Sequence, residues 1–154
     1  MRWSALARTS AATAAAAAIG SVAVDPNSRW YRRLSKPRWQ PPAPAFGIVW
    51  TVLYADLAVT SATALSRTTT RRERADHWRR LAVNLALNAG WNWLFWRVHK
   101  PWPATVEAAA LTVSSADLVR RIARKHRGAG TALAPYAAWC AFATVLTAAI
   151  ARRN

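Results

Sequence analysis

Charge in this chain is clustered, and the clusters are separated by long uncharged stretches. Arg and Lys gather at 29–38, 67–80, 97–100, 120–127 and 152–153. Between them, Gly128 to Ala151 runs for 24 residues without a charge, Leu81 to Trp96 for 16, and Thr9 to Val24 for another 16. A helix crossing lipid needs roughly 20 mostly apolar residues, and it tolerates Arg and Lys at its ends because their long side chains reach back to the headgroups. Apolar stretches alternating with basic connections satisfy that geometry. An even spread of the same net charge, +16, would instead describe a soluble basic protein of the kind that binds nucleic acid. The clustering, with no recognisable nucleic-acid motif, makes anionic membrane lipid the expected partner of the basic connections and argues against nucleic acid. Hydrophobic residues reach 53% while mean hydropathy is only −0.01, and Ala-rich spans reconcile the two.

The expected fold is an all-α membrane protein: one five-transmembrane-helix bundle over residues 1–154, with spans at about 4–24, 45–66, 79–97, 104–123 and 129–151. The first connection, Asp25 to Pro44, is the long one. Pro37, Pro41, Pro42 and Pro44 forbid a continuous helix there, because each lacks an amide proton and restricts the residue before it. Trp30, Tyr31 and Trp39 give this Pro/Trp-rich loop enough apolar mass to fold against the bundle. His99 to Pro103 and Arg127 to Gly130 read as the later turns, and Gly47 and Gly90 suit close helix approach. The N-terminal stretch resembles a signal peptide in part. It is Ala-rich throughout and interrupted by Arg8, so a retained first helix is expected. Five spans place Arg2, Arg8, the six basic residues of 67–80 and the five of 120–127 on one face, which makes that face cytoplasmic by the positive-inside rule. Cys140 lies alone in an apolar run and cannot form an internal disulfide.

Trp and Tyr favour membrane interfaces, and that accounts for Trp3, Trp78, Trp96 and Trp102, each close to an expected helix end. It does not account for Trp50, Trp91 and Trp139, which lie within spans. Phe46, Trp50 and Tyr54 recur at helical spacing on one face of the second span. Asn84, Asn88 and Trp91 share a face of the third, and Tyr136, Trp139 and Ala143 one of the fifth. Lipid cannot satisfy an Asn amide, so both Asn side chains should point inward. Two readings stay open: the Asn pair joins helices by hydrogen bonds, or these faces line a cavity for a flat aromatic ligand.

The local sequence then becomes familiar. Residues 30–42, WYRRLSKPRWQPP, resemble the W-Y-x-x-L-x-K-P-x-W-x-P-P segment of the translocator protein family, the tryptophan-rich sensory proteins. Val49-Trp50 with Leu53-Tyr54 is similar to that family's V-W-x-x-L-Y, and Leu87-Asn88 with Trp91 to its L-N-x-x-W. Pro135-Tyr136, Trp139 and Phe142-Ala143-Thr144 resemble P-Y-x-x-W-x-x-F-A-T. The resemblance implies a five-helix bundle, an integral multi-pass protein expected in a bacterial cell membrane, and homodimers. It also implies that a porphyrin such as protoporphyrin IX, or a heme-like tetrapyrrole, binds beneath the first loop, with no cofactor or metal required. Family pocket positions fall on Trp30, Tyr31, Trp39, Trp50, Tyr54, Asn84, Asn88, Trp91, Trp139 and Ala143.

The departures carry information too. A sterol-recognition pattern of some members has a Tyr where this chain has Ala148, which argues against sterol binding. Asp56, Glu107 and Asp117 are acids inside apolar spans. Arg120 and Arg121 lie one turn from Asp117, whereas Asp56 and Glu107 have no local basic partner and are candidates for a polar contact. The expected function is a porphyrin sensor, carrier or scavenger, with propionates suited to Arg32, Arg33 or Arg38. The alternatives are a lipid- or sterol-binding transport protein and a light-dependent porphyrin-degrading enzyme, for which Trp50 and Trp139 are the catalytic candidates. His77, His99 and His126 are read as loop residues, and no hydrolytic or metal motif accompanies them.

Overall fold

Each expected apolar stretch forms a helix, and most of the helices run further than the uncharged residues do. The computed structural model describes residues 2–154, and among these are six helices: α1 (Trp3–Ser21), α2 (Arg29–Arg33), α3 (Ala43–Ser66), α4 (Arg71–Trp96), α5 (Pro101–Lys125) and α6 (Arg127–Ala151). The extensions have local causes. Thr70 caps α4 by accepting from the Glu73 amide at 3.1 Å, while the Glu73 carboxylate accepts from the Thr69 amide at 3.1 Å. This reciprocal cap starts the helix at Arg71, ahead of the span expected from 79. Pro44, Pro101 and Pro103, expected in connections, sit in the first turns of α3 and α5, where an amide proton would have had no partner.

The expected turn at Arg127–Gly130 is likewise the first turn of α6, separated from α5 by His126 alone. His126 caps α6 through its Nδ1, which accepts from the Ala129 amide at 3.1 Å. So short a connection forces α5 and α6 together. A Cβ on Gly130 would collide with the backbone and Cβ of Ala123, so glycine is required there.

Around the bundle α1 packs on α3 and α4, α3 on α6, α6 on α5, and α5 on α4, which closes a ring. Thr9 Oγ1 ties α1 to α3 by donating to the Ala58 carbonyl at 2.8 Å. Trp93 Nε1 and an Arg97 nitrogen donate to the Ile19 and Val22 carbonyls, each at 3.0 Å, and hold the other end of α1 to α4. Leu57, Leu81, Leu111, Leu118, Ile122 and Leu133 fill the interior near one end of the bundle. Phe95, Leu146 and Ile150, with the rings of Trp30, Tyr31 and Trp91, fill the other. Val52, Val59, Val113 and Val145 point outward from the interior turns of their helices, and Val106 from near the start of α5. By length and composition alone, α3 and α6 are apolar enough to cross a membrane.

The first loop is folded against the bundle, as its aromatics suggest. Ser28 caps the short α2 by accepting from the Tyr31 amide at 3.2 Å. Trp30 then stacks on His99 with centroids 4.3 Å apart, and Tyr31 meets Trp96 at 4.4 Å. His99 turns the chain between α4 and α5 with a φ of 56°, in the left-handed region that only a few residue types enter readily. Asn154 clamps the loop from below: Oδ1 accepts from the Ser35 amide at 2.9 Å and Nδ2 donates to the Ser35 carbonyl at 3.1 Å.

Candidate functional site

Beneath that loop lies a cavity of about 480 Å³, within the ~300–1,000 Å³ typical of small-molecule sites. One wall is α3, where Phe46, Trp50 and Tyr54 are stacked by their four-residue spacing. A second is α4, with Trp91, Asn92, Phe95 and Trp96, and a third is α6, with Leu146, Thr147 and Ile150. Ala17 and Ser21 of α1 complete the sides, and Tyr31 and Gln40 close the loop end. Among the described residues, no charged side chain lines it.

The rings are held by packing and by hydrogen bonds behind them. Trp50 lies 5.7 Å from Tyr54 and 6.2 Å from Trp91, centroid to centroid. Trp91 Nε1 donates to Thr147 Oγ1 at 3.3 Å, and the Thr147 hydroxyl donates to the Ala143 carbonyl at 2.7 Å. Tyr54 donates to Asn88 Oδ1 at 2.6 Å. Behind it, Asn88 Nδ2 donates to the Tyr136 hydroxyl at 3.3 Å and Tyr136 donates to Asn84 Oδ1 at 2.7 Å. Asn84 Nδ2 reaches Ser115 Oγ at 3.0 Å and Ser114 Oγ at 3.2 Å. The chain of bonds thus joins α3, α4, α5 and α6. Gln40 donates through Nε2 to the Tyr31 hydroxyl at 2.9 Å, while its Oε1 is buried with no partner among the described residues. An unpaired acceptor beside a cavity suits a ligand that brings a donor.

Of the residues expected at the site, Tyr31, Trp50, Tyr54 and Trp91 are on the cavity wall. Asn84 and Asn88 are wholly buried behind it, and their bonds are those of the helix-joining reading. Trp139 packs on Phe46 at 5.9 Å and Phe142 at 5.0 Å, off the wall. Trp39 is half exposed against Phe142, Trp30 faces His99 and the edge of Phe95, and Ala143 is buried under Thr147. Arg32, Arg33 and Arg38 are exposed and off the wall. Asn92, Phe95, Trp96 and Gln40 were not anticipated. Its place near a helix end assigns Trp96 to the interface on sequence alone. The missed signal is that Asn88, Asn92 and Trp96 continue one helical face at four-residue spacing.

The acids divide. Asp117 accepts from Arg120 at 2.7 Å, from Arg121 at 2.8 Å and from Arg80 of α4 at 2.9 Å. Asp76 accepts from Arg79 and Arg80, each at 2.9 Å, and Glu73 from Lys125 at 2.6 Å, so an ionic seam joins the start of α4 to the end of α5. The Lys125 ammonium bonded to Glu73 holds that carboxyl below its ordinary value, and the Arg80 guanidinium does the same for Asp76. Asp56 and Glu107 are half-buried, have no hydrogen bond or ion pair from the carboxylate among the described residues, and do not line the cavity. Glu107 lies over Gly90, where a Cβ would strike its carboxylate. His77, read as a loop residue, sits in α4 instead, ahead of the apolar stretch. It is buried with Nε2 unpaired among the described residues, and burial pushes its pKa down to about 4.

The profile of the TspO/MBR family matches residues 9–153. The chain is 30% identical over 129 residues to "Tryptophan-rich protein TspO" of Chlorobaculum tepidum, covering 84% of this chain and 82% of that one. It is 33% identical over 129 residues to the human "Translocator protein", covering 82% and 75%. An "Uncharacterized membrane protein YtaB" of Bacillus subtilis is 27% identical over 128 residues, covering 83% and 82%.

Proposed function

Since the chain belongs to the TspO/MBR family of membrane proteins, we propose that it spans the bilayer five times and binds a porphyrin-like planar ligand in the cavity beneath its first loop. The observation that carries this reading is an uncharged cavity walled by the rings of Trp50, Tyr54 and Trp91 and closed by Tyr31. Rigid aromatic walls take a flat π-system at little entropic cost, because few rotamers are lost on binding. The wall leaves no place for an ionised propionate, so the acidic edge of such a ligand belongs at the mouth. The first loop, whose Tyr31 and Gln40 close the cavity, carries Arg32, Arg33 and Arg38, exposed and without ion pairs among the described residues. Outward-facing valines at mid-helix and basic helix ends support five spans in lipid. The role is that of a sensor, carrier or scavenger in a cell membrane, working as a homodimer.

Titration of the detergent-purified chain with protoporphyrin IX, read by tryptophan fluorescence, tests the reading. Saturable quenching is expected, weakened in Trp50→Phe and Trp91→Phe and less affected in Trp139→Phe. Absence of quenching, or equal quenching in all three variants, refutes it. Light-dependent breakdown of the ligand is the second reading, favoured by three oxidisable indoles on the cavity lining, Trp50 of α3 and Trp91 and Trp96 of α4. A new absorbing product under illumination in air, lost in Trp50→Phe, supports it, and a bound ligand stable to light excludes it.

A further inference from the structure

Two depressions outside the ligand cavity meet at Arg120. The first, about 660 Å³, lies at the basic end of the bundle between the end of α3 and the α5–α6 connection, and Arg67, Arg120, Arg124 and Arg127 surround it. Among the described residues, no Asp or Glu lines it. Lys125, also at its edge, is taken up by Glu73, and Arg120 gives one nitrogen to Asp117. Arg67, Arg124 and Arg127 are exposed and form no ion pair among the described residues. Three guanidinium groups gathered without a counter-charge repel one another, and an anion bound by their forked donors relieves that repulsion.

The second depression, about 820 Å³, is a groove on the outer surface between α4 and α5. Val83, Leu87, Ala110 and Val113 give it apolar walls, and it ends at Arg79 and Arg120. Asp117, its one carboxylate, is already neutralised by Arg80, Arg120 and Arg121. From Ala110 to Arg120 a helix climbs about 15 Å, half of the roughly 30 Å hydrocarbon core. The groove therefore has the depth of a single leaflet, with its apolar end at the bilayer centre and its basic end at the headgroups.

We propose that the two depressions form one seat for an anionic phospholipid. The phosphate-bearing headgroup lies among Arg67, Arg124 and Arg127, an acyl chain lies along the α4–α5 groove, and Arg120 stands at the junction. Charge complementarity selects the headgroup, and continuity with a leaflet-deep apolar groove selects a lipid over a soluble anion. The inference rests on the five-span reading above.

The test is native mass spectrometry of the full chain released from mixed micelles of phosphatidylglycerol and phosphatidylcholine. One tightly retained phosphatidylglycerol per chain is expected. Its preference over phosphatidylcholine should fall on the order of tenfold or more when Arg67, Arg124 and Arg127 are all changed to Gln. The same loss of charge at the other end of the bundle, with Arg29, Arg152 and Arg153 changed to Gln, should leave it intact. Val113→Trp, which fills the groove from an exposed position, should also lower retention, and it decides the matter if the triple variant does not fold. Equal retention of the two lipids, equal loss in both triple variants, or displacement by glycerophosphoglycerol lacking acyl chains as readily as by the lipid overturns the proposal. Flotation with phosphatidylcholine vesicles separates the two levels. A chain that does not float refutes the membrane reading, and one that floats without headgroup preference refutes the seat alone.

Discussion

Tyr136→Phe separates the two roles open to the buried asparagines. The substitution keeps the ring, which is wholly buried and packs edge-on to Trp50 at 6.3 Å, and removes only the hydroxyl. Two bonds are lost: the one Tyr136 donates to Asn84 Oδ1 at 2.7 Å and the one it accepts from Asn88 Nδ2 at 3.3 Å. Asn84 keeps its bonds to Ser114 and Ser115, and Asn88 keeps Tyr54, so each amide is left with one orphaned group. An orphaned buried group costs about 1–3 kcal/mol in soluble proteins. Interhelical bonds in bilayers average about 0.6 kcal/mol and reach about 1.7. Both amides are shut off from lipid and water alike, which leaves no replacement partner at hand. A loss of about 2 kcal/mol for the pair follows. Unfolding of the purified chain in mixed micelles, followed by circular dichroism, measures it. Porphyrin affinity should stay within about twofold of the unaltered chain, because Tyr136 does not line the cavity. Unchanged stability, or lost affinity at unchanged stability, would refute the assignment of Asn84 and Asn88 to joining helices.

Gly130→Ala should destabilise the fold by about 1–3 kcal/mol in the same assay, since the new Cβ meets Ala123 backbone that cannot yield. Gly47→Ala, where nothing lies within 4 Å, should not destabilise. Glu73 and Asp76 have lowered pKa values in the fold, so the stability they contribute is present above the ordinary carboxylate range, near pH 4, and is lost as pH falls through their folded values. Acid unfolding curves of Glu73→Gln and Asp76→Asn should be flatter there, and curves matching the unaltered chain would contradict the seam. His77 is held neutral down to about pH 4, so between its ordinary value near 6.5 and that point only the unfolded state takes up the proton. Stability should therefore decline from pH 6.5 toward 4, and His77→Leu should remove that decline.

Helix order, the folded first loop and the residues of one wall were legible because each depends on short-range pattern. Charge spacing marked where helices end, and the four-residue recurrence of Phe46, Trp50 and Tyr54 marked one face. Boundaries were misjudged where capping overrode polarity: Thr70 and Glu73 extend α4 through a charged stretch, and His126 turns α5 into α6 within one residue. The same polarity places His77 in a loop on sequence alone, whereas the capped helix includes it. The site was legible only in part, because sharing a face with an aromatic does not say how deep that face lies.

The sequence by itself determined that helices would alternate with basic connections and that aromatic and amide side chains would point inward, since helical period and the cost of an unpaired amide in lipid follow from the order of residues alone. Tertiary structure decided which inward groups meet space and which meet one another. Trp96 reached the cavity because Tyr31 folds over it at 4.4 Å, while Asn84 and Asn88 were withdrawn into bonds with Tyr136 and Ser115. Those outcomes depend on the rotation and depth of helices packed in a ring, and they are set by contacts between residues far apart in the chain, Asn84 and Tyr136 being 52 positions apart.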